Sequence, residues 1–205
     1  MADKRRAIVE AALEVIGDSG PGGFTQPRVA ARAGLRQSHL TYYFPTRDDL
    51  LAAVAEEAVR RRIAVLREAQ AAAGGPGEQV AALAQVLTAP EHTRILLALT
   101  QAADRDAAVR ASFDALAAGV GPLGADLLAT VGAEPDPVDV ALVQALSTGI
   151  AVLSLARGGD AAAAEHLLRA FLDRLAAARS HGDAGVVSSD AASRANPSSS
   201  GTRGT

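Results

Sequence analysis

The chain has 205 residues, 49% of them hydrophobic but only 3% aromatic, so its core must be built from aliphatic side chains, a composition that favours helices. It has no cysteine, which excludes a disulfide framework or a thiolate metal site, and no apolar run follows the charged N-terminus, so no secretory leader is expected. The net charge of −3 divides unevenly: residues 1–47 hold seven basic against four acidic side chains and the remainder 13 against 19, a basic head on an acidic body.

The first predicted helix runs from about Asp3 to Gly17, with Ile8, Ala12, Val15 and Ile16 on one face, and Ser19–Gly23 forms a loop. The stretch from Phe24 to Leu51 then carries the firmest pointer to function. Thr25 is placed to cap a short helix that tolerates Pro27 in its first turn. The small Ala30 lets a second helix cross closely, and Gly34 supplies the left-handed turn between the two. At about 100° per residue, Leu40, Tyr43 and Phe44 share the inward side of the second helix, over Val29, Ala33 and Leu35. Ser38, Thr41 and Tyr42 face outward, flanked by Gln37 and His39, a hydrogen-bonding and aromatic surface suited to a major groove. This is the pattern of a helix-turn-helix DNA reader.

A third helix starts at Thr46-Arg47-Asp48-Asp49, an [ST]-x-x-[DE] capping box, and Arg47 is placed for a phosphate contact. It is expected to reach about Ala73, through the basic Arg60–Arg62, which reads as a solvated face, and could link head to body mechanically. Helices follow over Glu78–Leu87 and Glu91–Ala103, and from Arg105 a longer one that the cluster Gly119-x-Gly121-Pro122-x-Gly124 should kink or split. Asp136 caps a helix with Pro137 at its first position, running to Arg157; its apolar stretch Val140–Ala156 is too short and too polar for a membrane span and reads as a buried helix. Asp160 caps the last helix, striped by Leu167, Leu168, Phe171, Leu172 and Leu175, and residues 182–205 read as a disordered tail. Glu91-His92 and Glu165-His166 lack a third ligand at helical spacing, so no metal is expected, and no cofactor either.

The run Thr25, Val29-Ala30, Ala33-Gly34-Leu35, Leu40, Tyr42-Tyr43-Phe44 and Thr46-Arg47-Asp48-x-Leu50 resembles the DNA-binding domain of the TetR family of bacterial repressors. Arg36 stands where that family usually has a serine cap, and Thr41 where it usually has a tyrosine. The resemblance implies an all-α protein with three parts: a three-helix DNA-binding head (1–47), a larger helical ligand-binding and dimerisation body (48–181), and the tail. It implies a homodimer formed through the last two helices, with the small residues Ala145, Gly149 and Ala156 and Leu153 allowing close approach. It also implies a regulator, by family habit a repressor, that binds a palindromic double-stranded operator and is released by a small-molecule inducer.

On this reading Ser38, Thr41 and Tyr42 meet base edges, while Thr25, Gln26, Arg28, Arg36, Gln37, His39, Tyr43 and Arg47 complete the DNA surface. The family's ligand lies in the body, where Gln85, Thr93, Thr100 and Gln101, walled by Leu97 and Phe113, would offer an aliphatic chamber for a lipophilic inducer. A soluble cytoplasmic protein with no membrane partner and no enzymatic activity follows. Two other classes compete: an all-helical small-molecule binding protein or enzyme with a vestigial DNA head, and an architectural protein that binds DNA without sequence preference. No nucleophile–base spacing supports the enzyme, and the acidic body disfavours the architectural role.

Overall fold

Every regular element among the described residues is helical, as the aliphatic composition requires. The computed structural model describes residues 2–130, 132 and 134–193. α1 (Ala2–Ser19) leads through a short 3-10 turn (Pro21–Gly23) to α2 (Gln26–Arg32) and α3 (Gln37–Tyr43). α4 (Arg47–Ala72), α5 (Pro76–Thr88), α6 (Pro90–Ala103), α7 (Ala107–Ala129), α8 (Pro137–Arg157) and α9 (Ala161–Ser193) form the body. The expected tail begins inside α9, whose backbone continues to Ser193, and its remainder lies outside the described residues.

Local chemistry explains most boundaries. Thr46 accepts from the Asp49 backbone N–H at 3.0 Å while Asp49 accepts from the Thr46 N–H at 3.0 Å, a complete capping box that opens α4. Asp136 accepts from the Val138 and Asp139 N–H groups at the start of α8, and Asp160 from that of Ala163 in α9. Gly158, at φ +94°, closes α8 in the left-handed region.

Two clusters of buried side chains divide the interior. The first is built on α1 to α4, with Ile8, Ile16, Val29, Leu40, Phe44 and Leu50 among its members, and it takes in Ala98 and Leu99 of α6 and Val109 of α7. The second joins α5, the end of α7, α8 and α9 through Val80, Leu87, Leu128, Ile150, Leu168 and Leu172. The head core therefore does not stop at residue 47 but continues into the body, so a shift of α6 or α7 is felt in the head.

Three expectations need correction. α7 is neither kinked apart nor split at its glycine cluster: it is one helix with Pro122 inside it. The glycines serve close packing instead, since a Cβ on Gly119 would run into Ile63 of α4 and one on Gly124 would touch Val140 of α8 at 3.6 Å. α8 is not a buried helix. Only Asp139, Val143, Ile150 and Ala151 of it are buried, because α5, α6 and α7 cover one side alone and the rest faces outward.

The triplet Arg60–Arg62 is not one solvated face. Arg60 donates to Glu57 at 2.5 Å, Arg61 donates to Glu57 at 2.6 Å and to Glu10 of α1, and Arg62 turns inward. The Arg60 hydrogen bond, helped by Arg61 and opposed by burial, holds the Glu57 carboxyl down to about 2 from an ordinary 4.5. A depressed carboxylate stabilises the fold above its unfolded value and loses that contribution as pH falls toward its folded one. Glu57→Gln is therefore expected to melt below the wild type at neutral pH, with the gap closing between pH 4.5 and about 2. Melting temperatures recorded across that range check it; a constant gap would remove the ion pair as its cause.

Candidate nucleic-acid interface

The turn between α2 and α3 follows from Gly34. At φ +66° it lets its own N–H reach Ala31 O at 3.1 Å and the Leu35 N–H reach Ala30 O at 2.9 Å, the paired bonds of a Schellman motif. Leu35, just beyond, packs back on the head core. Ala30 is buried at the crossing, and Leu40 and Phe44 anchor α3 from behind, both with almost no exposure. The apolar back of α3 thus fixes which way its front faces.

That front carries the side chains expected to read bases. Tyr42 is 70% exposed and stands edge-to-face against Tyr43, ring centres 5.2 Å apart at 89°. The contact braces the outward ring while Tyr43 is half-buried. Gln37, Ser38 and His39 are exposed, and Thr41 is partly so. The Thr41 hydroxyl donates to Ser38 O at 3.1 Å, so its proton is committed to the helix and its lone pairs face outward as acceptors.

The surrounding positions divide by what they already hold. Thr25 occupies the cap position of α2 with extended backbone, but its hydroxyl makes no cap bond and is exposed. Arg36 caps α3 by backbone geometry only and has no ion-pair or hydrogen-bond partner among the described residues, which leaves its guanidinium for an external anion. Arg47 lies over the Phe24 ring at 5.3 Å and Arg28 donates to Gly23 O at 3.4 Å, contacts that orient both while keeping them exposed. Gln26 is different: its amide donates to Phe44 O at 3.2 Å and ties the start of α2 to the end of α3, so its role in this structure is to hold the two helices together. Arg32, outside the expected set, is paired with Glu14 at 3.0 Å and Asp18 at 2.9 Å.

Arg5 was missed by sequence reasoning. It lies over the Phe44 ring at 4.9 Å beside the end of α3, and only the packing of α1 on α3 and α4 brings it there. Arg94 was missed as well: from α6 it donates to Gly17 O at 2.9 Å, at the end of α1. With the Arg61–Glu10 pair it makes two polar bonds between body and head.

The expected ligand residues are less coherent. Thr93 is buried and Leu97 and Phe113 are partly so, whereas Gln85, Thr100 and Gln101 are exposed, and the Thr100 hydroxyl donates to Leu96 O at 2.8 Å. A groove of about 940 Å³ runs between the end of α3, α4 and α7, past Tyr43, Pro45, Ala52, Ile63 and Ala111, and none of the six lines it. Their helical faces point apart, which spacing along the chain alone did not reveal.

Residues 8–54, the span from α1 into α4, match the family model of bacterial regulatory proteins, tetR family. The HTH-type transcriptional regulator BetI of Rhizobium meliloti (strain 1021) is 35% identical over 116 residues, 52% of this chain; the chain spans 55% of the length of that curated relative. Among solved structures, the multidrug binding protein EbrR complexed with ethidium is 29% identical, with 81% of this chain and 96% of that chain covered at a TM-score of 0.61. A protein of Saccharomonospora viridis in complex with choline is 17% identical, covers 84% of this chain and 97% of its own at a TM-score of 0.70, and so shares the fold. The chain belongs to the tetR family of bacterial regulatory proteins, and is a regulator rather than an enzyme.

Proposed function

We propose that the protein is a ligand-responsive transcriptional repressor that reads a palindromic operator as a homodimer, in the cytoplasm, and leaves it when a small lipophilic inducer enters the body. One observation carries the DNA reading: Ser38, Thr41 and Tyr42 stand on the open side of a helix whose other side is pinned by Leu40 and Phe44. Base edges take Ser38, Thr41 and Tyr42; backbone phosphates take Thr25, Arg28, Arg36 and Arg47.

The dimer reading rests on α8. Val138, Leu142, Ala145, Gly149, Leu153 and Ala156 recur at steps of three and four and are all exposed, with Leu167 of α9 exposed beside them. α8 is long and apolar enough to cross a membrane by composition, yet it buries Asp139 against Arg179 of α9 and packs on three other helices. A second copy of the same face is the cover that suits such a stripe.

Release follows the contacts between body and head. A ligand that favours a displaced α6 acts on α1 through Arg94 and Gly17 O, and on the head core through Ala98 and Leu99. The two heads of a dimer then no longer match successive major grooves about 34 Å apart.

The test is a salt titration on a palindromic fragment from the gene's own upstream region. Four phosphate contacts per head predict that log K falls steeply with log salt, at roughly −0.9 per contact. Specific binding that stays flat with added salt, or that random duplex competes away at equal concentration, would contradict this reading.

A further inference from the structure

We infer that the small molecule taken up by the body is an organic anion, a carboxylate on an aliphatic chain, whose charged end is held by Arg62 with His92 beside it. This rests on the reading of the body as a ligand chamber and names the chemistry of what enters it. Arg60 and Arg61 each have a carboxylate partner, but Arg62, one residue on, has none among the described residues. It is mostly buried where α4 meets α5 and α6, and its hydrogen bond goes to a neutral acceptor, Val86 O, at 3.3 Å.

A guanidinium out of water without an opposite charge is costly, and proteins ordinarily pair it. Burial pushes the Arg62 guanidinium below its ordinary value, with no neighbouring acid to restore it. His92, on the first turn of α6, is lowered by its own burial and then by the charge of Arg62, against a weaker pull from Glu91. Two groups able to carry positive charge therefore converge in the interior, and a carboxylate placed between them satisfies both.

The opposite ligand chemistry finds little here. EbrR and the Saccharomonospora viridis protein hold ethidium and choline, both cations. A quaternary ammonium is recognised by aromatic faces or by a buried acid. The body has two aromatic residues, Phe113 and Phe171, packed against separate clusters, and its buried acid Asp139 is already paired with Arg179. The site is also well placed to act. His92 lies two residues from Arg94, which donates to Gly17 O, so an anion held there bears on the turn of α6 that touches the head.

Three probes of one chain length separate charge from lipophilicity: decanoate, decanol and decyltrimethylammonium, measured by calorimetry and thermal shift on the full chain. Decanoate is expected to bind at least about tenfold more tightly than decanol, the worth of one charge-assisted hydrogen bond, and the ammonium more weakly still. Arg62→Gln is expected to abolish that preference, binding decanoate and decanol alike. Equal binding of decanoate and decanol by the wild type, or tighter binding of the ammonium, overturns the anion inference while leaving a lipophilic chamber. Binding of none of the three removes the chamber reading as well. His92 followed by NMR gives a readout that needs no variant: decanoate should move its titration upward and decanol should not, and an unmoved imidazole overturns the inference.

Discussion

Leu142→Glu together with Leu153→Glu is expected to leave a folded chain that sediments as a monomer and has lost specific operator binding. Both leucines are nearly half exposed on the single chain, at 44% and 49%, so the substitutions remove little intramolecular packing. Glutamate and leucine have similar helix propensities, so α8 itself should persist. In a two-fold interface each new carboxylate meets the same face of the second copy, which places four unpaired negative charges in a region that would otherwise be dry. Several kcal/mol per interface is the expected penalty, enough to raise the dissociation constant by on the order of a thousandfold or more. A lone head then makes half the contacts, and operator affinity falls toward the non-specific level, on the order of 10³-fold. Sedimentation velocity, helical melting and operator binding check the three parts separately. A variant that remains dimeric at the wild-type concentration would move the interface away from α8.

What the sequence disclosed about this molecule was mostly local. The cap at Thr46, the left-handed Gly34 and the inward Leu40 each depend on residues within about five positions, and all three occur where residue type and spacing placed them. What escaped depends on which elements meet. Arg60, Arg61 and Arg62 follow one another at about 100° on α4, and nothing in the triplet itself says that α5 and α6 cover the third. The glycines of α7 looked like breakers because their neighbours, Ile63 and Val140, lie far away in sequence. The apolar run of α8 gave the right character and the wrong burial, because an aliphatic stripe reads the same whether its cover comes from its own chain or another. Gln26 read as a DNA contact until the carbonyl of Phe44, eighteen residues on, appeared beside its amide.

Tyr42→Ala is expected to cost operator affinity heavily while leaving the fold nearly untouched. Its ring is 70% exposed and touches Tyr43 edge-on, so truncation forfeits about 0.5–1.5 kcal/mol of aromatic contact at most, and melting should change little. A side chain that meets a base edge is worth about 1–3 kcal/mol, and a symmetric dimer carries it twice, so the loss is on the order of 10- to 10⁴-fold. Arg36→Ala separates reading from holding. Its guanidinium is exposed and unpartnered among the described residues, so its removal should weaken operator and random duplex alike and shift the salt slope by about one per head. Tyr42→Ala should instead leave the salt slope in place and narrow the gap between operator and random duplex. Reversed signatures, with Tyr42 altering the salt slope and Arg36 the sequence preference, would mean that α3 lies along the phosphates rather than in the groove.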